Sequence, residues 1–448
     1  MLKKIWHKIT KGKTQTPAKQ TIPQEQHRIN AGHIASAARK TVTDLQKAGY
    51  EAYIVGGAIR DLLIGATPKD YDVATNATPS EIRAVFRRSR IIGRRFPIVH
   101  VIMGRETIEV TTFRSGGETV QNEQGRIMRD NSYGTLAEDA QRRDFTCNAL
   151  YYDPSTGQIT DFHNGVSDIL ARRLVIIGNP AERYREDPVR ILRAIRLSAK
   201  LGFSIDDQTA APIPNCISCL KNEPSARLFD EILKILMSGY SRRCLEQFRN
   251  LDIHSPVHPL LDTMLQASRS KQPDLVVTAL KETDQRMREG KSVSVGFILA
   301  CLMWDNLDTL WQKHLRHGAK PTPALTQAVA ELREGMEKGW GVPQKFAATM
   351  HGIWILQPQF ENRRGTRPFR LLAQGQFRAA YDFLLLRARF GQADQEWADW
   401  WQRFQQADQA GREAMIREEN AKPAGAPAKR RRKPRTRKPR KSNNNPTE

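Results

Sequence analysis

The chain of 448 residues predicts an α+β fold: an N-terminal head with a small mixed β-sheet and helices, then an all-α neck and body, then a disordered basic tail. Three observations predict it. Within residues 31–177, short β-branched and aromatic runs alternate with glycine turns and short amphipathic stretches. From about residue 205 to 406 the apolar spacing is helical. Beyond 421 the composition shifts to Lys, Arg and Pro with no apolar period. These shifts divide the chain into a basic disordered extension (1–30), a head (31–177), a helical neck (178–265), a helical Arg-rich C-terminal domain (266–415) and a basic tail (416–448).

The head elements follow in order. A helix over about Ala31–Gly49 precedes the first strand, Tyr53-Ile54-Val55, which is β-branched and aromatic. Gly56-Gly57 lacks Cβ atoms, so backbone N–H groups there can approach a phosphate closely. Ala58 to Ile64 has helical spacing at Ile59, Leu62 and Leu63, and Gly65 stops it. Arg60 falls in the first turn, where an exposed guanidinium can meet a triphosphate oxygen. Asp70-Tyr71-Asp72-Val73 reads as a second strand. Thr78-Pro79-Ser80-Glu81 opens a helix to about Arg88, with Thr78 as N-cap. Ile98–Met103 and Thr107–Phe113 form a hairpin around Gly104-Arg105-Glu106. Ser115 to Asn131 reads as a mobile loop, and Asp153 to Gly165 as a loop and short strand that end the head.

Asp70 and Asp72 carry the chemistry. On a strand, residues i and i+2 face the same way, roughly 6.5–7 Å apart. Carboxylates at that separation can share one divalent cation or flank two. Mg2+ suits hard oxygen ligands and triphosphates, with Mn2+ as a substitute. Glu109, on a neighbouring strand, is either a third carboxylate near the metal or an exposed strand residue.

Charge points to the partner. Lys+Arg 71 against Asp+Glu 48 gives +23 and a pI near 10, which favours nucleic acid first and an anionic membrane surface second. Residues 422–448 carry eleven Lys/Arg against one acid, and residues 1–30 seven against one. Leu2, Ile5, Trp6 and Ile9 share a helical face among lysines, a pattern that can touch membrane or RNA but reads better as a floppy extension. No apolar run is long enough to span a bilayer and no hydrophobic signal core opens the chain, so no stable membrane insertion is expected. Five scattered cysteines argue for a reducing, cytoplasmic compartment; Cys216 and Cys219 read as half-buried helix residues.

Gly56-Gly57-x-x-Arg60-Asp61-x-x-x-Gly65 followed by Asp70-x-Asp72 resembles the nucleotidyltransferase superfamily of tRNA CCA-adding enzymes and bacterial poly(A) polymerases. Arg142-Arg143-Asp144-Phe-Thr-Cys-Asn148 extends the likeness. The resemblance implies that Arg143 touches the nucleotide and that Asp144 belongs to the active site; the residues alone say only that three charges cap a helix. Asp187-Pro188 and Gly202 bracket a helix, Asp187 as its N-cap. Ile191, Leu192, Ile195 and Ala199 share one side, and Arg190, Arg193 and Arg196 the other. Its Glu186-Asp187-x-x-Arg190 start resembles the base-recognition motif, which implies that Asp187 and Arg190 contact the base edge and Arg193 the nucleotide.

Helical patterning continues with Arg227–Met237. Seven of the eight tryptophans lie beyond residue 300 and read mainly as packing anchors. Arginines mixed with aromatics over 368–389 are compatible with an RNA path. Ile91 to Val101, the 377–387 helix and the basic tail are similar to the bacterial poly(A) polymerases. That likeness implies AMP transfer from ATP to RNA 3′ ends, monomer by default, with RNA-degradation proteins as family-level partners. Two alternatives stand beside it: a tRNA CCA-adding enzyme sharing the same head, and a non-catalytic RNA-binding protein with a vestigial head.

Overall fold

The computed structural model describes residues 19–93, 97–115, 120–121, 127–129, 133–253, 257–269 and 274–422. The apolar face of residues 2–9, Arg94–Phe96 of the Ile91–Val101 segment, and the tail beyond 422 lie outside the described residues. The chain divides into two units, Met1–Ile355 and Leu356–Glu448.

The first unit opens with the head. Its strands are β1 (Gln20–Ile22), β2 (Ala52–Val55), β3 (Asp72–Thr75), β4 (Ser89–Ile92), β5 (Ile98–Met103), β6 (Glu106–Thr112), the short pair β7 (Val120–Gln121) and β8 (Ile127–Arg129), β9 (Leu150–Asp153) and β10 (Gln158–Asp161). Eight of them form one sheet in the order β1-β10-β9-β2-β3-β6-β5-β4. It is mixed because β3 and β6 run parallel while the other neighbours are antiparallel. Gln20–Ile22, placed by sequence in a disordered extension, pairs with β10 as an edge strand. Part of the expected 115–131 loop instead pairs as β7 and β8.

Strand alternation decides what the sheet hides. Ile54, Val73, Val99, Val101, Ile108 and Val110 point to one face and are buried. Helices α1 (Ser36–Lys47) and, after α2 (Gly57–Leu63), α3 (Pro79–Val85) pack on that side. Thr78 and Glu81 form the expected capping box, but α3 ends at Val85 because Ser89–Ile92 is drawn into the sheet. On the opposite face Val55, Ala74 and Tyr151 pack against Leu136 and Ala140 of α4 (Leu136–Arg142). That helix covers only part of the face; Arg90, Ile92, Ile102 and Glu109 on the rest of it are exposed.

Beyond the sheet come α5 (Gly165–Leu170), α6 (Pro180–Glu186), α7 (Val189–Leu201), α8 (Ser225–Leu236) and α9 (Ser241–Asn250). Ile191, Leu192, Ile195 and Ala199 are buried, as expected, and Gly202 at φ 68° ends α7. Asp187 does not cap α7 with its side chain; its carboxylate is taken by Arg227 instead.

The second unit is helical to Ala421. Trp400 and Trp401 are buried in it, and Trp401 Nε1 donates to the Phe360 carbonyl at 2.8 Å. Trp304, Trp311 and Trp354 are buried in the first unit, which bears out the packing role. Phe377, Tyr381, Phe383 and Arg387 are buried too, so the 377–389 helix offers no exposed aromatic platform for RNA bases. Among the described residues no helix is long and apolar enough to cross a membrane.

Candidate active site

The site forms where the carboxyl end of β2 meets the start of β3. Val55 is the last residue of β2 and pairs with Asp72, the first of β3. Gly56 then turns with φ 80° and ψ −140°, a conformation that a side chain would strain, and α2 begins at Gly57. A Cβ placed on Gly56 would stand 3.8 Å from Asp72 Oδ2 and 3.8 Å from Arg143 Nη1. A carboxylate and a guanidinium thus converge on the bare glycine.

Asp72 is flanked by Glu109, its register partner across the parallel β3–β6 pair. Its carboxylate is open to solvent on one side. Packed protein on the other sides desolvates it and, with repulsion from Glu109 and Asp70, outweighs the pull of Arg143; its pKa is pushed up to about 6. Asp70 is exposed and lies before the strand, which begins only at Asp72. The expectation of two acids on one strand is corrected accordingly: β2 ends at Val55, so nothing remains for residues 70 and 71 to pair with. Asp70 still stands close enough to repel Asp72.

Arg143 follows α4 as its C-cap. Nε and Nη2 donate to Asp139 Oδ2 at 3.2 and 3.0 Å, and Nε also to Tyr151 Oη at 2.9 Å. Tyr151 Oη donates to the same Asp139 oxygen at 2.6 Å. Burial opposes the charge on Arg143, but Tyr151 and Asp139 outweigh it and hold its pKa above the ordinary value. Nη1 has no hydrogen bond to a described residue and faces the glycine turn. Arg183 fixes the backbone beneath, donating from Nη2 to the carbonyls of Arg142 and Arg143 at 2.8 and 2.7 Å.

Arg60 departs from expectation. It is 4 % exposed rather than open to solvent. Its guanidinium donates to Asp61 Oδ1 and to Asn148 Oδ1. A Cβ on Gly57 would meet Arg60 Nη2 at 3.2 Å, so Arg60 lies against the turn as a brace. Asp144 Oδ1 accepts from the Phe145 amide and from Asn148 Nδ2, joining this brace to Arg143.

The arginine stripe of α7 is no solvated face. Arg190 is buried, donating from Nη1 to the Arg183 carbonyl at 2.8 Å and to Glu186 Oε2 at 3.3 Å, with Nε 3.9 Å from Asp187 Oδ2. Arg193 reaches Glu231 through Nε at 3.3 Å and Asp144 through Nη1 at 3.7 Å. Arg196 also meets Glu231, at 3.8 Å. Glu231 on α8 is buried and answers the stripe. Two clusters result: Gly56, Gly57, Asp72 and Arg143 at the turn, and Asp187, Arg190 and Arg193 on the neck, linked through Asp144.

Sequence reasoning missed Asp139, Tyr151, Asn148, Arg183, Arg227 and Glu231. The Asp139–Arg143 pair leaves a local signal, an i,i+4 spacing at the end of a helix, as does Glu223–Arg227 at the start of α8.

Comparisons with known proteins place the chain in a family. A model described as the poly A polymerase head domain matches residues 52–175, a probable RNA and SrmB-binding site of polymerase A matches 202–265, and a polymerase A arginine-rich C-terminus matches 317–438. The chain is 39% identical to poly(A) polymerase I of Salmonella typhi over 431 residues, 94% of this chain and 92% of that one. It is 37% identical to poly(A) polymerase I of Haemophilus influenzae over 90% of this chain and 91% of that one. A CCA-adding enzyme of Lactobacillus helveticus is 36% identical over only 48% of this chain and 53% of that one. A crystal structure of the Bacillus stearothermophilus CCA-adding enzyme in complex with CTP shares the fold, with TM-score 0.55 and 22% identity over 87% of this chain and 88% of that one. With its head motifs intact and its likeness running nearly end to end, the chain belongs to the poly(A) polymerase family of nucleotidyltransferases.

Proposed function

We propose that this poly(A) polymerase transfers AMP from ATP to RNA 3′-hydroxyls at the Gly56 turn, with Asp72 and Asp70 as the ligands of Mg2+ and Mn2+ as its substitute. The observation that carries this reading is the convergence of Asp72 and Arg143 on Gly56. The donor set fits a hard divalent cation: Glu109 and Asp70 both repel the Asp72 carboxylate, and a cation beside Asp72 relieves that repulsion. Among the described residues no group of three or more His, Cys, Asp or Glu side chains is close enough to hold an ion alone. That suits Mg2+, which binds through one or two carboxylates and takes its other oxygens from water and substrate phosphates. When bound, such an ion acidifies the attacking hydroxyl and neutralises charge on the phosphates.

The protein groups divide the remaining work. Gly56 and Gly57 leave room for the triphosphate beside the backbone. Arg143 presents Nη1 to it, held by Asp139 and Tyr151. Arg60 and Asp144 keep the turn and the Arg143 segment in place. Glu109 is a third carboxylate beside Asp72. Asp187 and Arg190 read the adenine edge, and Arg193 contacts the nucleotide from the neck.

Supplying each NTP separately with a generic RNA tests this function. The expected product is a long homopolymeric A tail with ATP alone. Addition of C and a stop after A, restricted to tRNA lacking its end, would support a CCA-adding enzyme instead. Asp187→Ala is expected to lower the preference for ATP over CTP by ~10-fold or more, the worth of a charge-assisted hydrogen bond to the base. Steady-state incorporation of the two nucleotides measures it. Removing residues 423–448 is expected to weaken RNA binding at moderate salt and flatten its log–log salt dependence by ~0.7 per lost phosphate contact, with KM for ATP unchanged. Filter binding across a salt series reads both.

A further inference from the structure

Sheet register places four polar residues side by side. Asp72 pairs with Glu109, Glu109 with His100, and His100 with Arg90. Cross-strand partners share a face, so the row runs from the candidate metal ligand to the edge strand β4. Each strand step is ~4.8 Å, which sets Arg90 ~14 Å from Asp72. His100 Nε2 stands 3.4 Å from Glu109 Oε1, so the row is continuous in its middle.

The rest of this face is open and mixed in character. Ile92 is 39 % exposed and Ile102 42 %. Ile92 pairs with Ile98, and Ile98, His100 and Ile102 alternate along β5 on this side. Arg90 is exposed and its side chain makes no hydrogen bond or ion pair with any described residue; the same holds for the side chains of Arg87 and Arg88, which lead into β4. An edge strand normally carries charge to prevent sheet-to-sheet pairing. That does not account for exposed isoleucines on the face that continues to the carboxylates. Unpaired cations interleaved with apolar side chains suit a single-stranded polynucleotide: phosphates take the charge, and bases take the apolar surface.

We propose that the open face of β4 and β5 seats the last nucleotides of the RNA whose 3′-hydroxyl reacts, Arg90 holding a backbone phosphate and Ile92, Ile98 and Ile102 supporting the bases. His100 stands between this seat and Glu109. The acidic end of the row is left to metal and the reacting group, and the basic end to RNA already made. This rests on Asp72 marking the reaction centre. The contact is to the backbone and to base faces, so it is tolerant of sequence.

The test uses the full chain and a short oligoadenylate primer. Arg90→Ala is expected to raise the primer KM about 10-fold, the worth of one charge-assisted phosphate contact, and to lower the salt slope by ~0.7. KM for ATP and kcat at saturating primer should stay unchanged, and Arg90→Lys should restore most of the loss. Ile92→Ser with Ile102→Ser should raise the primer KM without changing the salt slope. A primer with 4-thiouridine at its penultimate position should crosslink to Ser89–Ile92 or Ile98–Met103. An unchanged primer KM in Arg90→Ala, or crosslinks confined to other segments, would overturn the proposal; a protein strand docked on the β4 edge would give that result. If Asp72→Asn were inactive while Arg90→Ala behaved as wild type, the primer seat alone would fall. If Asp72→Asn stayed active, the catalytic reading would fall instead.

Discussion

Replacing Asp72 with Asn is expected to lower AMP transfer by roughly 10³-fold or more while RNA binding stays near wild type. The side chain keeps its size and loses the charge a cation needs. Stability should move the other way. In the folded protein the Asp72 pKa is raised to about 6. A carboxylate whose pKa is raised by folding disfavours the native state once pH exceeds its unfolded value, and the penalty is complete above about 6. At neutral pH the neutral Asn removes that penalty. Because Asp72 is open to solvent, screening limits the gain to ~1 kcal/mol. The variant is therefore expected to be inactive with a melting temperature equal to or above wild type. Thermal melts without divalent ions, beside single-turnover assays with them, check both parts. A residue conserving only the fold would lose stability and activity together.

The second large effect is at Asp139. Its carboxylate binds Arg143 and accepts from Tyr151, and it is 8 % exposed. Asp139→Ala leaves a half-buried guanidinium without its counter-charge, at a cost of roughly 3–5 kcal/mol. Arg143 Nη1 would lose its aim toward Gly56, so KM for ATP should rise about 10-fold or more even at temperatures where the variant is folded. Asp139→Asn keeps an acceptor and should recover part of the stability and less of the nucleotide affinity. Denaturant melts and ATP titrations at saturating RNA separate the two. Equal ATP affinity in folded Asp139→Ala would show that Arg143 does not need this anchor.

Local pattern made the β2–turn–α2 segment and the β5–β6 hairpin legible, because alternation and glycine position are read within a few residues. The capping box at Thr78 and Glu81 was legible for the same reason. What escaped notice depends on distant partners. Arg60 is buried because Asn148, 88 residues on, accepts from it. The α7 arginines turn inward because Glu231, 38 residues beyond Arg193, waits on α8. Asp187 abandons capping because Arg227 claims its carboxylate. Asp70 falls outside β3 because the partner strand ends at Val55. Local sequence thus marked the turn and its acids, whereas the ion pairs that aim Arg193 were set by the packing of α7 against α8 and the head.

In the proposed mechanism Asp72, with Asp70, gathers a divalent ion beside a nucleotide seated at Gly56. A crystal soaked with Mn2+ and a non-hydrolysable ATP analogue tests it most directly through the anomalous signal of the metal. A manganese peak bonded to an Asp72 carboxylate oxygen and to a phosphate oxygen is expected, with Arg143 Nη1 on the same triphosphate. Ordered nucleotide with its metal elsewhere, and Asp72 turned away from it, would rule out Asp72 as the metal ligand.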